Sequence, residues 1–152
     1  MAERPADQIR GFLAKYLPDV ARQARAARRA MRQRLPHAVE FVYDNYNALV
    51  FGYGPNERPS DAVLSLAVMP RWVTLCFIQG ARLSDPRKVL KGSGNQVRSV
   101  RLMGGPADLD KPAIKALVTD ALRQAAIPMD PGQKGYTLIR SVSAKQRPRR
   151  PA

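Results

Sequence analysis

The stretch AVLSLAVMPRWVTLCFI, residues 62–78, decides the fold of this 152-residue chain. Its first half, residues 62–69, alternates between a more apolar and a less apolar set of side chains, which is typical of a strand with one buried face. Its second half, residues 72–78, is a continuous apolar run and predicts a central strand covered on both faces. Only Pro70 and Arg71 separate the two runs, so the sequence predicts an antiparallel hairpin.

Further strands are predicted on both sides of this hairpin. Residues 39–43 and 48–53 are rich in β-branched and aromatic side chains, around a pair of residues suited to a turn or bulge. Residues 96–103 alternate in polarity, and residues 136–142 predict an edge strand.

Three helices are predicted from apolar spacing. The first begins near Ile9 and ends before Pro18, the second continues to about Leu35, and the third follows residue 110 and reaches about Ala125. A short helical turn is predicted at 85–90. The predicted N-cap residues are Asp7, Asp19, Asp85 and Asp110.

This order of elements predicts an α+β fold. We expect a two-layer sandwich in which a mostly antiparallel sheet of four to six strands is packed by the N-terminal helices and a long C-terminal helix. The length fits one domain, placed at residues 1–127. Residues 128–152 are predicted to form a basic C-terminal extension, with the edge strand at 136–142 and a disordered end from residue 146.

The net charge of +14 is concentrated at the two ends of the chain. Residues 1–36 carry nine basic and three acidic residues, and residues 134–152 carry six basic residues and no acid, whereas residues 37–133 hold eleven basic and nine acidic residues. Clustered cations attract polyanions such as nucleic acid, mainly through phosphate contacts without sequence readout. The polyanion contacts predicted in this way are Arg22, Arg25, Arg29, Arg32, Arg147, Arg149 and Arg150.

Few residues suit covalent or metal chemistry. Cys76 is the only cysteine and His37 the only histidine, which excludes an internal disulfide and leaves too few ligands for a nitrogen and sulfur metal site. We expect Cys76 to be a small buried side chain in its apolar run, rather than half of a Cys–His catalytic pair. No catalytic residue, metal or cofactor is therefore predicted, and a cytoplasmic location is expected.

Several segments together resemble the bacterial YdhG-like domains of unknown function. The segments are VYDNYNAL (42–49), SDAVLS (60–65), PRWV (70–73), LCF (75–77), LSDPRKVL (83–90), GSG (92–94) and VRSVRL (97–102), together with the helix after residue 110. The resemblance covers roughly residues 9–126 and implies a compact α+β domain similar in shape to frataxin. It also implies an iron-chaperone role, as described for a related member, which in frataxin-type proteins relies on an acidic ridge along the first helix. The corresponding helices here are cationic, which disfavours that role because iron prefers carboxylates.

Four hypotheses of function follow. The leading one is a small non-enzymatic module that binds a small ligand or a partner, and the second is an accessory nucleic-acid binder that uses the basic ends. The third is an enzyme with a ligand pocket near Asp44, Trp72 and Arg98, and a frataxin-like iron chaperone ranks last. The sequence specifies neither the oligomeric state nor the physiological partner.

Overall fold

The computed structural model describes residues 3–152 as three α-helices and six β-strands. The helices are α1 (Pro5–Leu13), α2 (Pro18–Arg34) and α3 (Pro112–Gln124). All three begin at a proline, which is tolerated in the first turn because its missing N–H would have no partner there. The predicted caps Asp7, Asp19 and Asp110 are wrong, since the N-cap positions are occupied by Arg4, Leu17 and Lys111.

The six strands form one sheet with the order β5-β4-β3-β2-β1-β6. Their bounds are β1 Val39–Asp44, β2 Leu49–Gly54, β3 Leu64–Val68, β4 Val73–Phe77, β5 Arg98–Arg101 and β6 Tyr136–Val142. Every neighbouring pair is antiparallel except β1 and β6, which are parallel. The predicted α+β class with a mostly antiparallel sheet is therefore confirmed, and the hairpin at 62–78 is β3 and β4.

The core lies between the three helices and one face of the sheet. It contains alanines and Met31 of α2 together with alternate residues of the strands, such as Phe51 and Leu75. The small side chains of Ala24 and Ala27, each 1% exposed, bring α2 close to the sheet. Within residues 3–152 no helix packs against the opposite face of the sheet, which we call the open face.

The position predicted for β4 is wrong in two respects. β4 lies second from one edge, between β3 and β5, and only its helix-facing residues are fully buried. On the open face Thr74 and Cys76 are half-buried, because nothing equivalent to the helical layer covers them. A run of small and apolar residues does not distinguish a strand covered on both faces from one that is covered on a single face.

The chain after β6 is packed against the body. The predicted disordered end is contradicted by Arg149, which is 5% exposed. The Ser143 amide donates to the Asp44 carbonyl at 2.9 Å, and the Arg147 amide donates to the Tyr46 carbonyl at 2.8 Å. The C-terminal segment therefore lies along the turn between β1 and β2.

The predicted helical turn at 85–90 is an irregular loop. Its predicted cap nevertheless accepts hydrogen bonds, because the Asp85 carboxylate receives the amides of Val89 at 3.1 Å and Leu90 at 2.9 Å. Lys91 then pairs with Ser99 beside β5. Among residues 3–152, no helix has the length and apolar character needed to cross a membrane.

Candidate functional site

The structure does not bring the predicted pocket residues together. Asp44 ends β1, Trp72 lies in the turn between β3 and β4, and Arg98 begins β5. Strands β1 and β4 are three strand spacings apart, roughly 14 Å. Arg98 also donates to the carbonyls of Gly94 and Val97, so it is held within its own loop.

Asp44 is instead the centre of a buried structural network. Its carboxylate is fully buried and accepts from Lys15 Nζ at 2.6 Å and from Arg149 Nη2 at 2.9 Å. Burial alone would raise the pKa of Asp44, but hydrogen bonds from Lys15, Gln146 and Arg149 outweigh it and hold this pKa below its ordinary value. The Asp44 network therefore joins the turn after α1, the end of β1 and the C-terminal segment. Because these protein groups occupy the carboxylate, it is not available to a ligand.

The main cationic site is a groove between α2 and the start of β6, which we call the α2 groove. It has a volume of about 580 Å³. Arginines of α2 form one wall and the beginning of β6 forms the other, with Glu40 and Tyr53 lining the groove between them. The charged residues that line it are Arg25, Arg28, Arg29, Arg32, Lys134 and Glu40.

Glu40 is the one acid that lines this groove among the residues described, and it is fully coordinated. Its carboxylate is 2% exposed and accepts from Arg28 through both Nε and Nη2, at 2.8–3.1 Å. The hydroxyls of Tyr53, at 2.7 Å, and Thr137, at 2.8 Å, donate to the same carboxylate. Burial, followed by the nearby Glu40 charge, raises the pKa of Tyr53 well above its ordinary value, so this hydroxyl stays protonated as a donor.

The other cations of the α2 groove take no part in holding the fold. Arg25, Arg29 and Arg32 are exposed and form no ion pair with any residue between 3 and 152, and the same holds for Lys134. Arg28 differs because its charge is neutralised by Glu40. The α2 groove thus presents four uncompensated positive charges to solvent.

The remaining predicted polyanion contacts divide between the surface and the interior. Arg22 pairs with Asp19 at 2.9 Å on the surface. Arg147 lies over the Tyr46 ring at 5.8 Å, and Arg150 Nε donates to the Lys15 carbonyl at 3.3 Å. Arg149 was wrongly predicted to be available, since its side chain is committed to Asp44 inside the protein.

A third cationic region was missed by the sequence reasoning. Residues 71–101 carry seven basic residues and one acid, whereas residues 37–133 as a whole look mixed. None of these seven cations makes an ion pair within the described part of the chain. The carboxylate of the single acid, Asp85, accepts hydrogen bonds from two loop amides. A shorter averaging window would have revealed this cluster.

The two reactive side chains lie apart from the α2 groove. Cys76 is half-buried on the open face, where burial raises the pKa of its thiol despite a hydrogen bond with Ser65. His37 contacts the Gln133 carbonyl through Nδ1 at 2.8 Å, which ties the start of β1 to the segment before β6. Within residues 3–152, no group of three or more His, Cys, Asp or Glu side chains is placed to hold a metal ion.

Comparison with known proteins does not assign this chain to a family. No family model, no curated protein and no solved structure matches the chain. The YdhG-like resemblance therefore stays a prediction from sequence motifs, and function is argued from the residues of the site.

Proposed function

We propose that this protein is a non-enzymatic binding module that holds the phosphate backbone of a nucleic acid in the α2 groove. The observation that carries the proposal is the set of four exposed cations, Arg25, Arg29, Arg32 and Lys134, which have no acidic partner among the residues described. Charges that the fold does not use, collected along one groove, are typical of contacts with a polyanion.

The spacing of these cations suits an extended anion. Arg25, Arg29 and Arg32 follow one another at four and three residues along α2, which places them about 6 Å and about 4.5 Å apart in helical rise. Each repels the others when no anion is bound. A row of phosphates would relieve that repulsion and release counterions, so we expect the affinity to depend strongly on salt.

The chemistry of the α2 groove favours binding over catalysis. A general acid or base needs a titratable group that can exchange a proton with a ligand. Glu40 already accepts hydrogen bonds from Arg28, Tyr53 and Thr137, so its oxygens face protein donors. The role of Glu40 is to hold Arg28 and the wall of the groove in place.

The other predictions made from the sequence rank below this proposal. We keep the YdhG-like assignment, with its frataxin-like two-layer sandwich, and a cytoplasmic location as proposals. A small-ligand pocket at Asp44, Trp72 and Arg98 lacks support, because these residues lie on separate parts of the sheet. Iron delivery is the weakest hypothesis, since the cations of α2 would repel the metal.

The test is fluorescence anisotropy with a labelled oligonucleotide, titrated from ~50 mM salt upward. The triple variant Arg25→Gln, Arg29→Gln and Arg32→Gln should lose at least tenfold in affinity and flatten the salt slope by about 2–3. The matched control removes three exposed cations elsewhere that likewise form no ion pair among residues 3–152, through Lys115→Gln, Arg140→Gln and Lys145→Gln. An equal loss in both variants, or no binding by the wild type at ~50 mM salt, would overturn the proposal.

A further inference from the structure

The open face of β3, β4 and β5 contains a second groove, which we call the open-face groove. The residues that matter in it are Ala67, Trp72, Thr74, Cys76, Lys91 and Arg101, and its volume is about 720 Å³. Ala67 pairs with Thr74 and Thr74 with Arg101, while Cys76 pairs with Ser99, so these side chains share one face of the sheet. Because Ala67, Thr74, Cys76 and Ser99 are small, the floor of this groove leaves room for a flat group.

One wall of the open-face groove is an aromatic ring held in a fixed position. Trp72 Nε1 donates to Thr74 Oγ1 at 3.1 Å, and the guanidinium of Arg101 lies 4.1 Å from the centroid of the indole ring. Trp72 is half-buried, so part of its ring surface reaches the groove. Tryptophan and arginine planes are surfaces on which nucleic-acid bases stack.

The charge of this groove selects an anion. Lys91 and Arg101 line it, and no carboxylate of the described residues does. Both belong to the cationic region 71–101, whose single acid Asp85 is engaged by the amides of Val89 and Leu90. An occupant that complements this groove combines a flat aromatic ring with a negative charge close to it.

We infer that the open-face groove binds an unpaired base of single-stranded nucleic acid, with the base stacked at the Trp72–Arg101 pair and a neighbouring phosphate at Lys91. A duplex does not offer this arrangement, because its bases are stacked inside the helix. The open-face groove lies on the opposite face of the sheet from α2, so it is a site separate from the α2 groove and can be tested separately.

Two unique residues report on occupancy of this groove. Trp72 is the only tryptophan of the chain and Cys76 the only cysteine, and both line the groove. A single-stranded oligothymidylate of twelve nucleotides should quench Trp72 fluorescence and slow alkylation of Cys76 severalfold. The same length of duplex, thymidine monophosphate and polyglutamate should do neither at equal concentration. If the duplex or polyglutamate gives the same quenching and protection, or if the monophosphate binds as tightly as the strand, the inference is wrong.

Variants separate this site from the α2 groove. Trp72→Ala should weaken binding of the single strand about 5- to 150-fold, the range that corresponds to the loss of one stacked base. Arg101→Gln keeps Trp72 as the reporter and should abolish most of the quenching, whereas Lys115→Gln at an exposed position of α3 should leave the quenching intact. The Arg25, Arg29 and Arg32 triple variant should still show protection of Cys76 by the strand. Quenching that survives Arg101→Gln would overturn the open-face site, whereas an α2 variant with unchanged affinity would overturn only the proposed function.

Discussion

Arg149 and Arg150 are adjacent arginines in the basic C-terminal segment, and replacing each with methionine should have very different effects on stability. Arg149 is 5% exposed, whereas Arg150 is exposed. Arg149 Nη2 donates to Asp44 Oδ1 at 2.9 Å and to the Asn45 carbonyl, and Nη1 donates to the Tyr46 carbonyl at 3.3 Å. Methionine is similar in length and fills the same space without the charge.

The magnitude follows from what each replacement leaves behind. Removing one member of a buried ion pair costs roughly 3–5 kcal/mol, because the other charge stays buried without a partner. Lys15 still contacts Asp44 at 2.6 Å, and Arg149 Nε has no hydrogen-bond partner to lose. We therefore expect Arg149→Met to lower the free energy of unfolding by about 3 kcal/mol, at the low end of that range. Arg150→Met should change it by less than about 0.5 kcal/mol, as is usual for surface positions.

The assay is urea denaturation followed by circular dichroism, repeated as a function of pH. The hydrogen bonds to Asp44 hold its pKa below the unfolded value, so its contribution is complete above about pH 4 and is lost as the pH falls through the folded pKa. The stability difference between wild type and Arg149→Met should therefore shrink on acidification. Equal stability of the Arg149 and Arg150 variants at neutral pH would refute the buried network, as would an additive Asp44→Asn and Arg149→Met double variant.

Three other perturbations test further parts of the structure. Glu40→Gln removes the charge that holds Arg28 at 2.8 Å and should cost about 3 kcal/mol in urea denaturation, while no change would show that the bidentate pair is not formed. Gly135→Ala would place a Cβ 2.6 Å from the Ala38 carbonyl oxygen, so the pairing of β6 with β1 should loosen. We expect the amides of β6 to exchange hydrogen faster, whereas the exchange rates of β3 should not change. Alkylation of Cys76 should be slower than that of a free thiol at pH 7 and should accelerate in urea, because burial raises the pKa of this thiol, and equal rates in both conditions would contradict its position.

The sequence predicted the strands of the sheet better than it predicted which faces of the sheet are covered. Alternation over 62–69 and the two-residue turn were sufficient for the β3–β4 hairpin, and the β-rich segment at 136–142 became β6. The prediction that β4 is buried on both faces was wrong because the small side chains of Thr74 and Cys76 continue the apolar run but can remain partly exposed to solvent. The helix caps failed because a proline at the first position sets each helix start without help from a carboxylate side chain.

The sites were harder to predict because their contacts join distant parts of the chain. Asp44 was predicted to line a ligand pocket, whereas its carboxylate is held by Arg149, which lies 105 residues away in a segment whose composition suggested disorder. The pairing of Arg28 with Glu40 was not predicted, although only twelve residues separate them and this ion pair shapes the α2 groove. Charge counts identify which segments are basic, whereas only the packing shows which cations are neutralised by ion pairs.

The way the protein uses its few acids explains where its free positive charge lies. Ten of the 26 basic residues form ion pairs among residues 3–152, and the two acids deepest in the structure, Glu40 and Asp44, engage Arg28, Lys15 and Arg149. These acids fasten α2 and the C-terminal segment to β1, and of the three cations that they engage only Lys15 is exposed. Sixteen basic residues form no ion pair among residues 3–152, and eleven of these lie in the α2 groove or in residues 71–101, where the only acid accepts hydrogen bonds from loop amides. Clusters of like charge oppose the compact state, so the unpaired cations of the α2 groove, and Lys91 and Arg101 in the open-face groove, are better explained by anionic ligands than by stability.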